Sequence, residues 1–339
     1  MSVTPLAGIF GCEGLELSQA EAAFFREANP LGLILFKRNC ESPEQVKRLT
    51  DSFREAVGRQ DAPILIDQEG GRIQRMQPPI WPQHPSSRDI GLIADKDLES
   101  GKRLAWLNAR LIGDELAEVG VNVDAAPVLD LLVNGANEVI GSRAFSMVPE
   151  IVAELGRASC DGFLASGIIP VIKHMPGHGY AQADSHIELP FIDRSAEVLW
   201  GEDMLPFREL SSMPWAMTAH IMYPSLDPEF PCTQSAHIIS HWIREKIGFQ
   251  GVLITDCIHM NALKGTHAER AKASLDAGVD LILNSHGSVN EMEAVAQEVC
   301  ALEGKALQRV THSLTLLGKV RLSAAEREVM FAERQELLG

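Results

Sequence analysis

Short runs of Val, Ile and Leu alternate with longer amphipathic stretches along the whole chain. Eight runs have strand length: Leu6 to Phe10, Gly32 to Phe36, Ile64 to Ile66, Val121 to Val123, Pro170 to Ile172, Ala216 to Thr218, Val252 to Ile254 and Asp280 to Leu283. Continuous apolarity marks strands buried on both faces, as in a parallel sheet whose strands are joined by crossover helices. Helix punctuation falls between the runs. Ser18-Gln19-Ala20-Glu21 is a capping box, Ser42-Pro43 supplies a cap and a first-turn proline, and Gly248 and Gly278 stand where helices should stop. Eight strand and helix pairs in 339 residues, with no Pro/Ser-rich linker, predict an α/β fold. The expected architecture is one (β/α)8 barrel over residues 1–339, with 305–339 as a C-terminal helical extension. A doubly wound sheet would need a glycine-rich turn after the first strand, and Gly11-Cys12-Glu13-Gly14 is a poor one. The fourth strand is the least defined, since Val121 to Val133 reads as strand, loop or both.

Composition narrows the function classes. Thirty basic against forty-six acidic residues give a net charge of −16, which repels a phosphate backbone, so nucleic acid is not an expected partner. Six cysteines, at 12, 40, 160, 232, 257 and 300, are scattered without a Cys-x-x-Cys pair and read as reduced thiols. No run approaches the roughly 20 apolar residues of a membrane span. The first residues lack the basic segment of an export signal, so a cytoplasmic location is expected.

Candidate chemistry gathers where the strands end. Asp67 follows the third run, Lys173 and His174 the fifth, His220 the sixth, Asp256 the seventh and Asn284 the eighth. In a barrel these positions share one face. Lys173-His174-Met175-Pro176-Gly177-His178-Gly179 concentrates a cation and two imidazoles in a turn that Pro176 and the glycines keep from being helical. Asp184 and His186, two apart, would project together from an extended loop, where the carboxylate could fix the imidazole for proton transfer. Asp67-Gln68-Glu69-Gly70-Gly71-Arg72 with Arg75 reads equally as a ligand site or as a surface turn closed by salt bridges. Asp256 leaves an apolar strand, where an ionised carboxylate is costly without a purpose; a nucleophile is one purpose and a partner such as Lys173 another.

Taken together these residues resemble the bacterial β-N-acetylglucosaminidases of glycoside hydrolase family 3. Carriers of the resemblance are Leu33-Ile34-Leu35-Phe36-Lys37-Arg38-Asn39, Ile66 to Arg72, Val139-Ile140-Gly141-Ser142-Arg143-Ala144-Phe145, Lys173 to Gly179, Asp184-Ser185-His186 and Thr255-Asp256. The resemblance implies a single-domain, cytosolic, monomeric enzyme, without cofactor or metal, that removes β-linked N-acetylglucosamine from anhydro-muropeptides in cell-wall recycling. It implies Asp256 as nucleophile, His186 as proton donor with Asp184 as its partner, and Asp67, Arg75, Arg143, Lys173 and His174 as residues holding the sugar. A retaining glycosidase needs a nucleophile on one side of the anomeric carbon and an acid, later a base, on the other.

After the nucleophile the family usually shows a second Asp and a Leu-Ser-Met run, whereas this chain reads Cys257-Ile258-His259-Met260. Strand alternation predicts that Cys257 points away from Asp256 into packing, and His259 has no assigned place. Rival readings are a catalytically silent glycan-binding protein, a Schiff-base lyase using Lys173, and a metallohydrolase using His174, His178 and His186.

Overall fold

In the computed structural model, which describes residues 4–133, 135, 139–181, 185, 188–286, 288–318 and 321–339, all eight apolar runs contribute to the strands of a closed parallel barrel. They are β1 (Leu6–Gly11), β2 (Pro30–Leu35), β3 (Ile64–Ile66), β6 (Val123–Asp124), β7 (Ile169–Met175), β8 (Trp215–Thr218), β9 (Val252–Cys257) and β10 (Leu281–Asn284). Between β3 and β6 a short antiparallel hairpin, β4 (Gln68–Gly70) and β5 (Ile73–Gln74), rises from the barrel rim. Closure joins the first strand to the last: Gly8, Ile9 and Phe10 lie beside Ile282, Leu283 and Asn284. The ambiguous stretch resolves as both strand and loop, because β6 holds only two residues and the chain beyond it follows β7 as an irregular segment, accepting the Val171 and Lys173 N–H groups at Ala126 and Pro127 and forming an isolated bridge from Val128 to Lys173.

The helices are α1 (Gln19–Ala28), α2 (Pro43–Val57), α3 (Ser87–Ala94), α4 (Leu98–Glu118), α5 (Pro149–Ala165), α6 (Ala196–Gly201), α7 (Leu205–Glu209), α8 (His267–Ala277), α9 (Val289–Glu298), α10 (Gly304–Leu314) and α11 (Ala324–Leu338). Their ends follow the local signals. Ser18 and Glu21 close a reciprocal capping box on α1, Ser42 accepts the Gln45 N–H ahead of α2, and α8 stops on Gly278 at φ +108°. Helices α1 and α2 cover β1 and β2 through the ring series Phe10, Phe24, Phe25 and Phe53, whose successive centroids are 5.5, 5.4 and 5.1 Å apart, edge to face. Each such pair contributes about 0.5–1.5 kcal/mol beyond simple burial.

The two ends of the barrel are built differently. At the amino-terminal end, buried Asp280 accepts from Arg244 (2.7 Å), Arg309 (2.8 Å) and the Leu253 N–H (2.9 Å), while the Trp215 indole donates to Ser313 of α10 at 2.9 Å. These bonds are closed within the protein. At the carboxyl end, register shifts interrupt the pairing of β7 with β8 between Ile172 and Met175 and of β10 with β9 between Leu281 and Leu283. A break in register frees the last residues of a strand from strict alternation, and chemistry in a barrel belongs to this face.

Candidate active site

A cleft of about 450 Å³ opens at the carboxyl end of the strands, a size suited to a small ligand. Its floor and walls include Asp67, Glu69, Arg75, Arg143, Lys173, His174, Asp256 and Cys257. The five residues expected to hold the sugar therefore stand together with the expected nucleophile. Asp184 and His186 lie outside the described residues; Ser185 between them is buried and lines the cleft.

Charge in the cleft is organised around Lys173. Its ammonium donates to Asp67 at 2.9 Å and pairs with Glu69 at 2.7 Å. Arg75 takes the second oxygen of Asp67 at 2.9 Å, and Arg143 grips Glu69 through two bonds of 2.9 and 2.8 Å. Burial pushes the Glu69 carboxyl up, but Arg143 and Lys173 outweigh it and bring it down to about 2; the same opposition, with Lys173 and Arg75, holds Asp67 well below the usual carboxylate range. Burial lowers the Lys173 ammonium, yet Asp67 and Glu69 leave it raised overall. Lys173 is thus a buried cation, the wrong state for the free amine a Schiff-base lyase needs. It makes its ion-pair contacts with Asp67 and Glu69, and reaches Asp256 only through its longer-range charge.

The cleft-lining His174 is fixed from behind. Asp130, wholly enclosed, accepts the His174 ring at 2.6 Å and the backbone N–H groups of His174 (3.1 Å) and His178 (2.7 Å). An ionised carboxylate on Nδ1 sets the tautomer and turns the other ring nitrogen to the cleft. Next to it, His178 is buried against His174 with ring centroids 5.5 Å apart, and burial, then the His174 charge, lowers it to about 4.

Asp256 has no Lys or Arg in ion-pair contact among the described residues. Its Oδ1 accepts the Cys257 N–H at 2.6 Å. Burial raises its pKa, but His174 and His220 outweigh that and keep the group below the usual carboxylate range. His220 does not touch the cleft; it accepts or donates to Thr233 at 2.8 Å and its Nε2–H donates to the Cys257 carbonyl at 3.1 Å, which fixes the strand end beneath Asp256.

Two expectations are corrected. Cys257 lines the cleft beside Asp256 instead of pointing away, and its thiol meets the Ser285 hydroxyl at 2.6 Å. It ends β9 where the register with β10 has already shifted, so the pleat no longer dictates its direction. The Asp67 to Arg75 segment is closed by ion pairs as one reading expected, but it is no surface turn, because Asp67, Glu69 and Arg75 line the cleft. His259 lines the cleft, bonded to Asn284 at 2.7 Å, with its ring tilted against His267 at a centroid distance of 3.7 Å. Sequence reasoning missed Glu69, which sat inside a recognised cluster without a role, and Asp130, whose only signal was a carboxylate in the apolar run after the weakest strand.

A cleft at the carboxyl end of a parallel barrel, with a lysine-centred network of ion pairs and a carboxylate that no Lys or Arg of the described residues neutralises, is the kind of site a barrel enzyme presents. The chain belongs to glycosyl hydrolase family 3, whose N-terminal domain matches residues 11–317. A beta-hexosaminidase of Alkalilimnicola ehrlichii is 38% identical over 279 residues, covering 81% of this chain and 79% of that one. NagZ from Neisseria gonorrhoeae, solved in complex with N-trifluoroacetyl-D-glucosamine, superposes with a TM-score of 0.86 at 28% identity over 99% of this chain and 98% of that one. A family 3 beta-N-acetylglucosaminidase of Paenibacillus gives a TM-score of 0.84 at 32% identity; the match takes in 98% of this chain but spans 66% of that longer enzyme.

Proposed function

We propose that this glycoside hydrolase is a retaining β-N-acetylglucosaminidase that releases terminal β-linked N-acetylglucosamine from anhydro-muropeptides during cell-wall recycling in the cytoplasm. One observation carries the reading. Of the carboxylates in the cleft, Asp67 and Glu69 are neutralised by three cations, while Asp256, at the end of β9, is held below the usual carboxylate range with no Lys or Arg in ion-pair contact among the described residues. A carboxylate kept charged without a cation is the reactive one.

Asp256 attacks the anomeric carbon as the bond to the leaving oxygen breaks, and a glycosyl ester forms. His186, for which the resemblance implies Asp184 as partner, gives its proton to that oxygen and then takes one from the incoming water, which cleaves the ester and regenerates Asp256. Lys173, His174, Arg75 and Arg143, with Asp67 and Glu69, hold the sugar hydroxyls, so their ion pairs order the wall before substrate arrives. The relatives named for hexosamine substrates support the choice of sugar.

Incubation with a fluorinated N-acetylglucosamine inactivator followed by peptide mapping is expected to place the label on Asp256. A label elsewhere, with turnover intact in Asp256→Ala, removes the mechanism. His186→Ala is expected to slow poor leaving groups far more than activated aryl glycosides; equal losses on both would deny it the role of acid.

A further inference from the structure

The family match ends at residue 317, yet the structure continues into α11, which packs on α3 and α4. One side chain of this helix, Arg334, is wholly buried. Its guanidinium donates to Nδ1 of His84 at 2.8 Å and to Asn108 at 3.0 Å, and among the described residues it has no carboxylate in contact. Because an arginine can only donate, His84 Nδ1 must accept, and the Nε2–H then donates to Glu115 at 3.0 Å. Sequestering a guanidinium without a direct counter-charge is costly, so the bonds it makes deserve an account.

They lead to the cleft. The His84 carbonyl accepts the Gly71 N–H at 3.0 Å, and the His84 N–H donates to Gln74 at 3.1 Å. Gly70, at φ +93°, lies so close to the Pro85 carbonyl that a Cβ would overlap it. The chain segment around His84 is therefore the back support of the β4–β5 hairpin. That hairpin carries Glu69 and leads into Arg75, two of the groups in the charged wall. Gln68 completes the brace by accepting the N–H groups of Arg75 (2.8 Å) and Met76 (3.1 Å).

We infer that Arg334, on a helix outside the matched family domain, is a positioning residue for this enzyme: through His84 it holds the β4–β5 hairpin in the geometry that presents Glu69 and Arg75 to the substrate. The inference rests on the proposed reading of that wall as the sugar site. A carboxylate placed a fraction of an ångström away weakens substrate binding before it affects the bond-breaking at Asp256.

Steady-state kinetics of the full chain on 4-nitrophenyl N-acetyl-β-glucosaminide test it. Arg334→Ala is expected to raise KM by about tenfold with kcat within roughly twofold of the parent. Arg334→Lys, which keeps one donor, should recover most of the loss, and His84→Gln combined with Arg334→Ala should be no worse than Arg334→Ala alone. Glu333→Gln, which breaks only the exposed pair with Arg103, should match the parent. Hydrogen exchange gives a readout independent of turnover: the Gly71 amide should exchange faster in Arg334→Ala while the β8 and β9 amides do not change. Unchanged KM and unchanged Gly71 exchange, with losses confined to kcat or thermal midpoint, would reduce α11 to a buttress and overturn the inference. A parent protein without activity on the aryl glycoside would instead sink the functional reading, and Gly71 exchange would still decide the role of Arg334. If Arg334→Ala does not fold, Arg334→Lys and His84→Gln carry the same comparison.

Discussion

Lys173 shows how much one residue can hold. Removing its ammonium as Lys173→Met leaves Asp67 and Glu69 facing each other in a site shielded from water, where an uncompensated buried charge costs about 3–5 kcal/mol. Urea denaturation of this variant should show a loss of that size, together with abolished binding of N-acetylglucosamine. A fall below about 1 kcal/mol would mean that Arg75 and Arg143 suffice to neutralise the pair. Asp124 makes a subtler case. It lies under the site at the end of β6, with one oxygen accepting the Gln68 N–H at 3.0 Å and the other without a partner, and burial raises it to about 8. The folded protein keeps a proton that the unfolded chain releases near 3.8, so rising pH favours unfolding across that window. His178 works in the opposite sense, because the unfolded chain holds its proton up to about 6.5 while the folded protein releases it near 4, so stability is lost as pH falls between these values. The two slopes cancel below about 6.5 and Asp124 alone remains above it. Asp124→Asn should therefore gain on the parent by roughly 1.4 kcal/mol per pH unit from about 4 to 8. Denaturant midpoints at pH 5 and 8 that shift in parallel would refute this.

The elements were legible wherever a local signal had no competitor. The capping box at Ser18, the proline start at Pro43 and the left-handed stop at Gly278 all depend on bonds within a few residues, and all formed. Cys257 was misjudged because alternation is a rule for paired strand interiors, and this residue ends β9 where the pairing has slipped. Asp130 and Glu69 were hidden for a different reason: their partners lie 44 and 74 positions away, at His174 and Arg143, and no spacing in the chain announces such contacts. The resemblance named Arg143 without explaining it; the bidentate bond to Glu69 does. Helix α3 bears on the same group, since a Cβ on Gly91 would overlap the Phe145 carbonyl oxygen. Gly91→Ala should cost about 1–3 kcal/mol from overpacking and weaken sugar binding by displacing the Arg143 segment. A midpoint loss with unaltered KM would show that the segment yields without moving Arg143.

At the scale of the molecule, stability and chemistry occupy opposite ends of one barrel. Asp280 with Arg244 and Arg309 closes the lower rim with satisfied bonds, whereas the upper rim keeps Asp256 without a Lys or Arg partner among the described residues and breaks its registers nearby. The eight-strand pattern alone was enough to predict this architecture, because burial on both faces leaves a continuous apolar signature that survives without any knowledge of partners. The helix α11 was foreseen only as an extension; its buried Arg334 could not be, since arginine in a helix ordinarily signals solvent.

The seam between β1 and β10 also governs how the chain is born. Phe10 cannot meet Asn284 until nearly all of the barrel has left the ribosome, so the amino-terminal strand waits on the order of tens of seconds for its last neighbour. During that interval β1, paired on one side with β2, is an open edge of Leu, Ile and Phe on the other. Nascent chains arrested before residue 284 should be cut readily by protease, and those extended past α11 should resist it.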